Sequence, residues 1–111
     1  MEHIRQPAVA GTFYPAGRQE LQAMLDAMLA EADASGPVPK AMIVPHAGYI
    51  YSGPVAATGY ARLRQAAASI RRVILLGPAH RVPVRGLALP DAEAFSTPLG
   101  EIALDTGVMR S

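Results

Sequence analysis

"AMIVPHAGYIYSGPVAATGYARL", residues 41–63, is the stretch on which the reading of the fold turns. It opens on a short apolar run, 41–45, without polar and apolar alternation, the pattern of a strand covered on both faces in a parallel sheet. His46 stands at the carboxyl end of that run, and the loop "AGYIYSG" follows it. Ser52 or Gly53 then serves as a helix N-cap with Pro54 at the first helical position, where a fixed φ and a missing N–H cost nothing. From there Ala56, Gly59, Tyr60, Leu63 and Ala67 trace a helix face of mostly small side chains, suited to close packing on a sheet.

Working outward, "RRVILLG", residues 71–77, supplies a second buried strand at Val73 to Leu76 and runs into Gly77-Pro78-Ala79-His80. Strand, helix and strand make a βαβ unit, which the handedness rule turns into a right-handed crossover between parallel strands. His46 and His80 therefore leave the sheet at the same edge. Upstream, "RQPAVAGTFYP", 5–15, is punctuated by Pro7, Gly11 and Pro15 and reads as extended or turning. From Gln19 to Ala34, Leu21, Met24, Leu25, Met28, Leu29 and Ala32 form one apolar stripe of an amphipathic helix that "SGPVP" ends. Downstream, "RGLAL", 85–89, reads as a third strand, "STPLG", 96–100, as a turn, and "EIALD", 101–105, as a short fourth strand. Asp105 then caps the first turn of a further helix. The expected fold is α/β, a mostly parallel sheet with flanking helices. Strands buried on both faces need a second layer, and only two full helices are visible to provide one. The expectation is thus that residues 1–111 are the N-terminal portion of a single larger α/β domain.

Composition narrows the function classes. The chain has 111 residues, 50% hydrophobic and 17% charged, enough apolar content for a core and too much for a disordered segment. Net charge is +1 and the arginines are scattered, so no nucleic-acid stripe exists. The absence of cysteine removes disulfides, thiolate ligands and a thiol nucleophile. No apolar run approaches the ~18 residues of a membrane span, and the first residues lack a signal-peptide core, so no membrane role and a cytoplasmic location are expected. No G-x-G-x-x-G, P-loop or G-x-S-x-G motif is present.

What remains is the strand-end pair. Ligands of open α/β sheets collect outside the carboxyl ends of the strands, where His46 and His80 fall. Neutral imidazole is the commonest protein metal ligand and also serves as acid or base, so both residues are candidates for catalytic and metal-binding roles. Two histidines and a carboxylate suit Fe(II) with open positions. Either histidine alone reads more readily as a hydrogen-bonded loop residue, and only the pair in matched positions brings the two readings level. Tyr49 and Tyr51 alternate around Ile50 and, in an extended segment, share a face that lines a pocket with Phe13 or Tyr14; ordinary loop packing is the competing reading. Asp91 and Glu93 are the nearest carboxylates, with surface solvation as their plainer role. His3 lies in an N-terminus read as mobile and receives no role. Ser52 reads as a cap rather than a nucleophile.

Four blocks carry a family resemblance: "AGTFYP", "VPHAGYIYSGPVAATGYARL", "RRVILLGPAHRVPVRGLAL" and "FSTPLGEIALD", in that order between Arg5 and Asp105. Together they resemble the N-terminal half of the Memo family, the group that includes AmmeMemoRadiSam system protein B. The resemblance implies a fold similar to class III extradiol dioxygenases. It also implies a vestibule of histidines and a cysteine linked to iron or copper, to redox chemistry and to phosphotyrosine peptides. Small molecules or phosphopeptides are the implied ligands, with radical-SAM and AMMECR-type proteins as implied partners. By motif position His46 and His80 are the first and second metal-type histidines. Phe13 and Tyr51 are the implied substrate-binding aromatics of the vestibule wall, Phe13 standing where relatives often have Trp. The family's further histidine and its cysteine fall beyond residue 111, and Ala79 stands where relatives commonly show Ser. Two imidazoles without a third ligand bind a divalent metal weakly. The expected function is a metal-dependent, dioxygenase-like redox site, incomplete in this stretch. The alternatives are a non-catalytic module gripping an anionic ligand through the imidazoles and Arg81, or a fragment without activity of its own.

Overall fold

The computed structural model describes residues 3–110. Its first helix, α1 (Arg18–Glu31), follows the apolar stripe, with Leu21 only 4% exposed and Met24, Leu25, Met28 and Leu29 half-buried. Most of its residues are straight-chain or alanine, which lose little freedom in a helix. Glu20 in the first turn suits the positive end of the helix dipole. The helix stops at Ala32, which turns extended; beyond it Asp33 accepts a hydrogen bond from the Ser35 N–H at 2.8 Å. That bonding from Ser35 holds the Asp33 carboxyl below its usual range.

The second helix, α2 (Tyr49–Tyr60), starts earlier than the caps at Ser52 or Gly53 implied. Gly48 is its N-cap and Pro54 lies inside it. The reason is tertiary. The Tyr49 N–H donates to the Phe13 carbonyl at 2.8 Å, which satisfies an N-terminal donor that would otherwise lack a partner. The Tyr14 and Tyr49 rings also pack at 5.3 Å between centroids. Helix geometry sets Tyr49 and Tyr51 two positions apart on a 3.6-residue turn, so they do not share the face that an extended segment would give them. A 3-10 turn, Ala61–Ala66, continues α2.

The small-residue face does bring α2 close to its neighbours. A Cβ on Gly53 would lie 2.5 Å from Met28 Sδ on α1, so any side chain there would require the end of Met28 to move aside. A Cβ on Gly59 would lie 3.1 Å from Val44 Cγ1 and 3.2 Å from Met42 Sδ. The helix thus presses on residues 41–45 from one side. Met42 and Val44 are half-buried, while Ile43, pointing the other way, is fully exposed.

The sheet is small and mixed, and it is not where most strands were expected. Strand β1 (Ile4–Arg5) pairs in parallel with β2 (Ala94–Thr97), and β2 pairs antiparallel with β3 (Gly100–Ala103). Residues 41–45, 73–76 and 85–89 run without ladder partners among the described residues, and Val73 to Leu76 are 72–81% exposed. A strand apolar on both faces is held only by neighbouring strands and two covering layers, and the described residues offer these segments one helix at most. The β2–β3 hairpin needs only its own Pro98-Leu99 turn, which closes with Gly100 at φ +136° and the Thr97 hydroxyl donating to the Gly100 carbonyl at 2.8 Å. The expected turn at 96–100 is thus the end of β2, a two-residue turn and the first residue of β3; the expected fourth strand begins one residue earlier and ends at Ala103; and β2 itself falls where a loop was expected. Asp105 caps α3 (Thr106–Met109) as expected, accepting from the Val108 N–H at 3.2 Å. His3, expected in a mobile stretch, is tied down: its Nδ1–H donates to the Asp91 carbonyl, and its carbonyl accepts from the Glu93 N–H at 2.8 Å.

The apolar core is thin: Leu21, Ala57, Ala61 and Ala92. Leu21→Ala is expected to cost about 2–4 kcal/mol, whereas Leu75→Ser, at an exposed position, stays within about 0.5 kcal/mol; urea melts of the two variants check the contrast. Burial first, and the nearby Tyr14 and Tyr60 second, push the Tyr49 phenol above its ordinary value. A raised folded pKa means that the folded state keeps its proton longer than the unfolded chain. The Tyr49 contribution is thus whole below the unfolded value near ~10 and shrinks as pH climbs past it. Tyr49→Phe should flatten the alkaline limb of a stability-against-pH curve.

Candidate functional site: the His46–His80 pair

His46 follows Pro45 at the end of the segment that α2 covers from one side, and His80 follows Gly77-Pro78-Ala79 at the end of the bare apolar segment. Their Nε2 atoms lie 3.2 Å apart, with ring centroids at 5.4 Å and planes tilted by 45°. The common rim expected of a βαβ crossover thus exists without the ladder between its strands. Both rings are exposed. At this distance the two nitrogens face each other within hydrogen-bond reach, the donor being whichever ring carries its proton on Nε2.

The His46 side is held by its neighbours. The Ser52 hydroxyl donates to the Ala47 carbonyl at 2.8 Å and lies 3.3 Å from that of Gly48. A Cβ on Gly48 would meet Tyr51 Cδ2 at 3.6 Å and the Phe13 carbonyl at 3.7 Å. Phe13 and Tyr51 therefore flank Gly48, two residues past His46, and both are exposed. The structure brings the two implied wall aromatics to one place by their main chain and helix register; their rings make no contact with either imidazole.

The other candidates lie elsewhere. Asp91 and Glu93 are bound through their main chain to His3 at the β1–β2 edge. Among the described residues no group of three His, Asp or Glu side chains is placed to hold a metal ion. Arg81 is exposed, and the single ion pair among the described residues joins Arg72 to Asp105 at 3.2 Å. Two cavities of about 350 Å³ sit between α1 and α2 and between α1 and the β2–β3 hairpin. Leu25 and Tyr49 line both, and neither histidine lines either. The role of Ser52 was the residue-level feature that sequence reading assigned differently. Its position four residues after Gly48, inside a helix whose start was placed too late, was the signal.

No helix among the described residues is long and apolar enough to cross a membrane. Comparison with known proteins adds the family. The chain is 39% identical over 102 residues to a MEMO1 family protein of Aquifex aeolicus (strain VF5), a match that covers 92% of this chain and 37% of that protein. It is 41% identical over 105 residues to Protein MEMO1 of Danio rerio, covering 94% of this chain and 34% of the relative. A MEMO1 family protein of Ignicoccus hospitalis is 38% identical over 112 aligned positions, 92% of this chain and 39% of its own length. The chain thus spans a little over a third of the length of these relatives. The profile of the family described as Memo-like protein matches residues 5–111, so nearly all of this sequence, with both histidines, belongs to the Memo family.

Proposed function

We propose that His46 and His80 form a two-imidazole seat for one redox-active transition-metal ion, iron or copper, and that the chain contributes this seat to a Memo-type oxidoreductase site. The observation that carries the reading is the 3.2 Å separation of the two Nε2 atoms. An ion about 2.1 Å from each nitrogen would see them at roughly 100°, between the cis angle of an octahedral site and the angle of a tetrahedral one. The donor chemistry also fits: imidazole suits iron and copper. When bound, such an ion supplies Lewis acidity and one-electron chemistry toward a ligand in its open positions.

This chain's own groups do the holding and the orienting. His46 and His80 present nitrogen lone pairs, and Tyr51 and Phe13, exposed on either side of Gly48, are the proposed contacts for an aromatic or phosphorylated ligand. The two-nitrogen set makes the expected affinity modest.

Equilibrium dialysis against Cu(II) tests the reading on the chain itself. One equivalent should bind, and His46→Ala and His80→Ala should each weaken it by at least about tenfold, the loss usual for disturbing a metal ligand's surroundings. Unchanged Cu(II) uptake in both variants rules the seat out. Inorganic phosphate binding that survives chelation and is lost in Arg81→Ala would move the function to anion capture.

A further inference from the structure

We propose that Ser52 is the positioning residue of the pair: it fixes the Ala47–Gly48 peptide, one peptide beyond His46, so that this imidazole stays put while His80 adjusts to it. The proposal rests on reading the pair as a metal seat and names what holds that seat in register.

Ser52 is the one buried polar residue among the described residues, at 7% exposure. A serine inside a helix commonly returns its hydroxyl to the carbonyl four residues back. Here the shorter bond, 2.8 Å, reaches one residue further, to the Ala47 carbonyl outside α2, and the ordinary partner Gly48 is at 3.3 Å. Ala47 directly follows His46 and its carbonyl has no other acceptor role among the described residues. The hydroxyl therefore sets the orientation of the Ala47–Gly48 peptide. The Ser52 N–H, donating to the Gly48 carbonyl at 3.0 Å, and the Tyr49 N–H, donating to the Phe13 carbonyl at 2.8 Å, hold the following residues. Ala47, Gly48 and Tyr49, the three residues that follow His46, are thus clamped between the first turn of α2 and the Phe13-Tyr14 segment.

His80 has nothing comparable. Among the described residues, its contact with His46 is the one hydrogen bond made anywhere between 73 and 90. The pair consists of a held ring and a ring on a free strap. Facing nitrogens form a usable two-point seat only while their separation is kept near the sum that the metal bonds allow, so the held ring decides the register.

Cu(II) alone is the probe. Wild type, Ser52→Ala, Ser52→Thr and His46→Ala are compared by dialysis and by the nitrogen hyperfine pattern of the bound ion, with thermal melts alongside. Ser52→Ala should bind about tenfold more weakly and shift from a two-nitrogen to a one-nitrogen pattern; Ser52→Thr, which keeps the hydroxyl, should restore both. Should His46→Ala lose Cu(II) while Ser52→Ala keeps wild-type affinity and pattern, the positioning role is wrong and the seat stands. Undiminished binding in His46→Ala removes the seat itself. Ring mobility in the unsubstituted chain gives a check free of any variant's folding: nitrogen-15 relaxation should show the His46 imidazole ordered and that of His80 mobile, and equal mobility overturns the proposal.

Discussion

A hydrogen bond from the Tyr49 N–H to the Phe13 carbonyl, reinforced by the Tyr14 ring against Tyr49, joins three pieces of chain that are otherwise separate. On one side is the turning segment before α1, on the other the start of α2, and between them the loop that bears His46. An N-terminal N–H of a helix must find an acceptor, and here the acceptor comes from a distant segment rather than from a side-chain cap. That choice moves the helix start to Tyr49, puts Ser52 inside the helix and within reach of Ala47, and tucks Gly48 against Phe13. Every feature on the His46 side of the site follows from that joint.

The remainder of the molecule is unevenly supported. Contacts between α1 and α2 are close at Gly53 and Met28, and three of the four buried apolar residues among those described, Leu21, Ala57 and Ala61, lie on α1, α2 and the 3-10 turn. Residues 73–76, by contrast, carry four large aliphatic side chains into solvent. No described residue covers this continuous apolar stretch, and apolar area of such extent is uncommon on the surface of a monomeric protein. The same contrast runs through the site, because the ring that sits beside the well-packed helix is the held one and the ring at the end of the bare segment is not.

The proposed two-histidine seat would separate the task of bringing ligands together from that of fixing them. The fold brings the two rings within 3.2 Å, and the Ser52 hydroxyl bonds the carbonyl of the residue after the first. Outer groups of this sort govern metal sites because a ligand that can swing spends part of its binding free energy on being ordered.

Much of this was legible in the residues. The 3.6-residue stripe from Leu21 to Leu29 marks α1 because its period is local and survives any environment. Asp105 caps α3 for the same reason, since a cap and its N–H partner are three residues apart. That His46 and His80 each end an apolar run is legible; that their rings meet is not, since residues 41–45 and 73–76 form no ladder on which the handedness of a βαβ connection could act. Nor is the pairing of strands. Residues 41–45 and 73–76 have strand composition, but a ladder and two covering layers are properties of what surrounds a segment, and the described residues cover 41–45 on one side only and 73–76 on neither. Only the tertiary structure decided where α2 begins, that His3 is bonded to Asp91 and Glu93, and that Ser52 holds Ala47. Each depends on a donor meeting an acceptor brought near by folding, and no periodicity in the chain records such a meeting.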